Sequence, residues 1–434
     1  MKKKIIVNSL MLLGLSFFLS LGCLMDGKGA LAAGKEVNIS VEKNEAVIYT
    51  ESGKMVPFTS LDQAVSEVGR YPGCTVKVWK DNVNRKSPLK LSGSNYTLDL
   101  NGYVLARDRA NYADRGEVIT IKTGADVKIV DSRPDAAHFF YKDPGGLITK
   151  GSSKNSAGGI HIEKNANLTM TGGTIADCRS KYEGAGLRNE NGRVWLNGVT
   201  IKANICEDNG GGIIHMGGFM VLTDCVIEGN LSKKSGGGMM IKGENVEFHD
   251  CTIKNNQAID DGGGITVRQD KVYIDGGYMT GNHAKHGGGI YVDSYRDINI
   301  QGRLIIDGNK GGGNVNENLY LQDGTATSAR IYDGGLLPGS RVLIVKSGSS
   351  DASYKAVIGA SEYEWENGLL AVDEGRGWFG KTSEKKEVFM ATAVDRYGWG
   401  ILLFIVLELI GVVIMFRLTL FRKRAEDKNS EDIN

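Results

Sequence analysis

Proline is scarce in this sequence, 6 residues in 434, while glycine is abundant at 60. Collagen and Pro/Gly-rich disordered chains need both residues in quantity, so neither accounts for the glycine. Net charge is also nearly absent: 52 Lys+Arg against 51 Asp+Glu give +1, which leaves no electrostatic footprint for nucleic acid. Cysteine is sparse, and beyond Cys23 only Cys74, Cys178, Cys206, Cys225 and Cys251 remain, an odd set that excludes a full disulfide framework. The apolar stretches of the middle region are too short for helices. What is present is a hydrophobic fraction of 41%, enough to bury a long core.

The two ends differ from the middle. Lys2, Lys3 and Lys4 precede an apolar run over 5–21, and Ala30, Leu31, Ala32 and Ala33 follow, which reads as a cleavable secretory leader over 1–32. Acylation at Cys23 has a poor lead-in in Ser20, Leu21 and Gly22. Near the other end, 401–416 is apolar apart from Glu408, and the stretch reaches Phe421. At about 1.5 Å per residue it spans roughly 30 Å, one hydrocarbon thickness. Tyr397 and Trp399 stand where an interfacial aromatic belt belongs, and Arg422, Lys423 and Arg424 follow on the side that stays cytoplasmic. The expectation is a single-pass cell-membrane protein with a transmembrane helix over 397–421, a tail over 422–434 and the bulk of the chain extracellular. Glu408 at mid-membrane is costly unless it faces a partner, which makes it a candidate membrane contact. A sortase motif is incomplete: Leu337, Pro338, Gly339 and Ser340 come closest, far upstream of the apolar segment.

Self-comparison of the middle decides the fold class. A glycine followed by an apolar residue recurs as Gly159-Ile160, Gly186-Leu187, Gly212-Ile213, Gly238-Met239, Gly264-Ile265 and Gly289-Ile290, in steps of 27, 26, 26, 26 and 25. Ile175, Ile201, Ile227, Ile253, Met279 and Ile306 keep nearly the same rhythm, and Asn204, Asn230, Asn256, Asn282 and Asn309 follow the last five. Two columns two residues apart, from Leu168 and Met170 to Ile298 and Ile300, face the same way at the strand period. Three short strands cannot bury an inner face alone, but stacking them in parallel at about 4.8 Å does so. The expected fold is all-β, a right-handed parallel β-helix over 75–347 of roughly ten coils, about 50 Å long. Thr59, Ser60, Leu61 and Asp62 read as a capping box opening a short amphipathic helix within a cap over 33–74, and 348–396 reads as a C-terminal cap and stalk. The asparagine column reads as corner residues in the left-handed conformation whose amides bond one another.

With Thr97-Leu98-Asp99-Leu100-Asn101-Gly102, Val127-Lys128-Ile129-Val130-Asp131-Ser132 and the repeated Gly-Gly-Gly-Ile and Ile-x-x-Asn units, the chain resembles bacterial cell-surface right-handed β-helix repeat proteins. These are similar to polymorphic outer-membrane and autotransporter passenger repeats. The resemblance implies surface placement and a role in adhesion. A single membrane helix in place of a β-barrel departs from autotransporters.

Candidate chemistry is thinner. Asp224 and Asp250 fall on adjacent coils with His249, Asp260 and Asp261 in the same coils. Like charges at that spacing could hold a Ca²⁺ ion or share a proton as a catalytic dyad, but Gly198 and Gly276 hold the equivalent positions, which marks a turn, and Asp is a common turn residue. No other cofactor is indicated. Cys225 and Cys251 stack as well, as free thiols or as a strained disulfide, and Cys178 with Cys206 is the other pairing. His283 and His286 alone are a weak metal set. On outward positions, Trp195, Val221 and Tyr273 in one column, and Ile214, Met240 and Tyr291 in another, form a candidate partner surface. The expectation is a non-catalytic surface protein presenting a rigid face for adhesion, envelope scaffolding or binding of cell-wall or host glycans or surface proteins. A polysaccharide lyase or glycoside hydrolase is the alternative, and an interaction subunit working through Glu408 is the other.

Overall fold

The structure, a computed structural model, describes residues 43–107, 111–322, 328–337 and 340–346, with three further strands, Leu370–Val372, Trp378–Lys381 and Val388–Ala391. The expected leader over 1–32, Glu408, the expected membrane segment over 397–421 and the expected tail lie outside the described residues, as does most of 348–396. Among the described residues no helix is long and apolar enough to cross a membrane.

One coil shows how the rest are made. Ile213–His215 forms the first face, Gly218–Thr223 the second, Val226–Glu228 the third, and the short Leu231–Ser232 a fourth ladder. The next coil repeats them as Met239–Ile241, Val246–His249, Thr252–Lys254 and Gln257–Ala258. All pair in parallel, with Ile213 opposite Met239, Leu222 opposite Phe248, Ile227 opposite Ile253 and Ser232 opposite Ala258. The result is a parallel solenoid of about nine turns. That is one fewer than the repeat length implies, because the chain spends residues outside the ladders, as in the excursion 131–146.

Inside, the apolar columns run unbroken. Ile175, Ile201, Ile227, Ile253, Met279 and Ile306 stack rung on rung, each no more than 1% exposed. One residue before each ladder asparagine sits a residue in the left-handed region: Ala203, Gly229, Asn255, Gly281 and Gly308. The ladder asparagines themselves are not left-handed, contrary to the expectation. The turn strain falls one residue earlier, which frees each asparagine to bond along the axis. The Asn230 backbone N–H and its Nδ2 both donate to Asn256 Oδ1, at 3.0 and 2.9 Å, and Asn256 does the same to Asn282. The ladder ends on Asn318, which accepts from Asn309 in the same way only nine residues on.

The N-terminal end is closed by an antiparallel strand, Ala46–Tyr49, laid on the first rung Thr75–Val78, and by helix α1, Leu61–Ser66. Leu61, Ala64 and Val65 bury in the same core cluster as Ile48, Val76 and Leu89. The expected capping box does not form: the Ser60 side chain makes no cap bond, and Glu45 Oε2 accepts the Leu61 N–H at 3.0 Å instead. A carboxylate just ahead of the capping strand does the work of a serine because it also complements the helix N-terminus.

Candidate functional site

The two outward columns expected to form one apolar surface have different fates. On the second face, Trp195 is 37% exposed and Val221 and Tyr273 are half-buried. Trp195 packs against Phe219 with ring centroids 5.9 Å apart, a partner not expected from the sequence. On the first face, Ile214 and Met240 are fully buried and Tyr291 is 5% exposed. The corner that enters the first face folds back over this column. Its leading glycine has positive φ, +64° at Gly262 and +60° at Gly287. A Cβ there would stand 2.1 Å from Thr266 Oγ1 or 2.8 Å from Tyr291 Cβ. Glycine therefore permits the roof, and the roof buries the column. Ile214→Ala is accordingly expected to cost about 2–4 kcal/mol, against under about 1 for Val221→Ala, measured by urea unfolding. Equal small losses would return Ile214 to the surface.

Asp224 and Asp250 occupy left-handed corner positions, φ +51° and +50°, in the slot held by Gly198 and Gly276. Both are exposed, which accounts for them as turn residues. Among the described residues no group of three or more His, Cys, Asp or Glu is arranged to hold a metal ion. Asp260 and Asp261 lie at a different corner of the coil, beside His286, with which Asp261 forms an isolated parallel bridge. His283 bridges Gln257 and Lys310 instead. All five described cysteines are buried and free. Burial pushes the Cys178 and Cys206 thiols up to about 12, and the neighbouring Cys225 together with burial pushes Cys251 up.

The corner at Asp260 and Asp261 opens a cleft of about 390 Å³ lined by Asn209, Lys234, Ser235, Asp260, Asp261, Arg268, Lys285 and His286. Next to it, Arg268 Nε lies 3.6 Å from Asp293 Oδ2, and on the first face the Tyr291 and Tyr320 rings stack at 5.5 Å. His286 lies against Tyr320 at 5.4 Å. The roof is fixed by backbone: the Lys285 and His286 N–H groups donate to Asp260 O at 2.8 and 3.1 Å, and Thr266 Oγ1 donates to Asp261 O at 2.8 Å. Burial raises the Asp261 carboxyl, a neighbouring Asp260 adding to it and His286 opposing. Lys234 is held by Asp208 at 2.8 Å, which raises its ammonium. Tyr291 donates to Gln322, and burial first, then Asp261 and Asp293, push its hydroxyl up. Asp261 and His286 were in view in the sequence as parts of other pairs. Arg268, Lys285 and Tyr320 carried no signal, since they meet only through stacking of different coils.

Residues 148–305 match the family model of the right-handed β-helix region. The same parallel stacking continues outside the match, from Leu89–Leu91 to Arg341–Lys346. That match and the stacked fold together support a right-handed β-helix repeat protein. Comparison with curated proteins finds no match, and neither does comparison with solved structures. In this β-helix the cleft and the Trp195 shelf lie on different faces.

Proposed function

We propose that this β-helix is displayed outside the cell on its C-terminal membrane segment and binds glycan chains without cutting them, in adhesion or envelope scaffolding. The observation that carries the reading is the cleft: polar and charged side chains gathered on a rigid ladder, at a corner held by backbone hydrogen bonds. Sugars offer hydroxyls to such groups at little ordering cost. The Trp195–Phe219 shelf supplies aromatic surface of the kind that takes the apolar side of a sugar ring. The full chain on an array of glycans and cell-wall polysaccharides is expected to retain at least one class. Arg268→Ala with Lys285→Ala should weaken that retention about tenfold, roughly 1.4 kcal/mol, at unchanged melting temperature. Retention of nothing, or by both proteins alike, sinks the reading.

One observation favours a second reading, polysaccharide cleavage. Asp261 is a carboxyl raised by burial and set beside Asp260, Lys285 and His286, the kind of group that donates a proton to a leaving oxygen. Shortened chains released from a retained polysaccharide, and lost in Asp261→Asn, would replace binding by catalysis.

A further inference from the structure

The second and third faces are normally joined by a tight corner, Gly172 and Gly173 in one coil or Asp224 and Cys225 in another. Between Asp126–Val130 and Leu147–Thr149 the join is instead the excursion 131–146. At its tip Phe139 and Phe140 are 92% and 85% exposed, the most exposed of the described large apolar side chains, packed edge to face at 4.8 Å.

The loop beneath them is built. Asp131 Oδ1 accepts the Gly102 N–H at 2.8 Å and Oδ2 the Gly146 N–H at 2.6 Å, closing the base. Gly145 N–H donates to Ala136 O at 2.9 Å, and His138 Nε2 bonds Gly145 O at 2.7 Å. Tyr141 packs on Val104, Ala106, Leu147 and Ala176, and Asp143 pairs with Lys202 two coils on. Two phenyl rings are thus held in water by a scaffold already ordered, so docking them loses little conformational entropy.

We propose that Phe139 and Phe140 are a lipid-inserting tip that seats this side of the coil stack on a bilayer surface. The pair is convex and ends abruptly: Ser132, Arg133, Pro134, Asp135 and Lys142 surround it and are exposed. Two rings of about 150–250 Å² each fall well short of the roughly 800 Å² that a specific protein interface covers on each partner. A bilayer needs no complementary pocket and accepts an isolated apolar tip at ring depth. Asp131 and Asp143 are already engaged, which leaves Arg133 and Lys142 against Asp135 at headgroup level, the sign that favours anionic lipid.

The test uses the full chain, Cys23 replaced by serine, reconstituted in vesicles of phosphatidylcholine with about a third phosphatidylglycerol. Because the other cysteines are buried, a fluorophore enters only at Phe140→Cys or, as a reference on another part of the stack, at Tyr295→Cys. Lipid-borne quencher is expected to act about twofold or more strongly at 140 than at 295, and adding Phe139→Ser should remove most of that excess. Equal quenching at the two positions overturns the proposal. Shielding of position 140 from aqueous iodide that appears with added protein and without vesicles also overturns it, assigning the tip to a protein partner. Because these readouts involve no glycan, they stand or fall apart from the cleft.

Discussion

Asn256→Ala is expected to destabilise the stack by about 4–6 kcal/mol, far beyond a surface substitution. The side chain is fully buried and works in both directions along the axis. Its Oδ1 accepts the Asn230 N–H and Nδ2, while its Nδ2 donates to Ile227 O and to Asn282 Oδ1, each at 2.9–3.0 Å. Alanine leaves the Asn230 N–H and one of its two Nδ2 hydrogens without an acceptor where water has no access, the other still reaching Ile201 O, and strips Ile227 O of its amide donor; each such loss costs about 1–3 kcal/mol. Since the ladder bonds of each coil run to its neighbours, the loss should appear first as faster hydrogen exchange at 230 and 282, then as an earlier urea transition. Exchange changed equally along the whole stack would mean the amides do not act as a local ladder.

How far the sequence revealed this protein follows from where each interaction is recorded. The core columns were legible because coils of nearly equal length put Ile227 and Ile253 at a fixed offset, and any residue on that offset must stack. Asn318 was not, because it joins the ladder after a short return and breaks the period. The burial of Ile214 and Met240 escaped for a related reason. Alternation tells which way a side chain leaves the strand, but a roof supplied by the preceding corner is a tertiary fact. The cleft has the same origin: Lys234, Asp261, Arg268 and His286 come from separate corners and strands, and only the pitch of the stack brings them together. Asp224 and Asp250 mark the opposite limit. Their spacing was legible, yet spacing alone did not separate a cation site from a left-handed turn, and the backbone angle of each corner accounts for an aspartate there.

The glycine pattern that revealed the period also contains its most severe constraint, and two substitutions separate conformational from steric cost. At Gly229, φ is +61° and a Cβ would have nothing within 4 Å of it. Ala203 holds the equivalent slot one coil earlier at φ +52°, so Gly229→Ala should cost only the left-handed penalty of about 1–2 kcal/mol. Gly237 has no such angle, but a Cβ there would sit 2.4 Å from both Gln257 O and Gly263 O, backbone atoms of the coil above. Those atoms cannot yield without parting the rungs, because the Gly237 N–H donates to Gly262 O at 3.0 Å while its carbonyl accepts from Gly212 at 3.1 Å. Gly237→Val is therefore expected to exceed the roughly 5 kcal/mol that marks an exceptional single substitution and to abolish cooperative thermal unfolding of the stack. Survival of a sharp transition within a few degrees of the parent would show that adjacent coils are not in backbone contact at this corner. The close approach is what lets successive turns share one spacing through corner and strand alike, so a side chain at 237 is excluded by the same backbone packing that stacks the rungs.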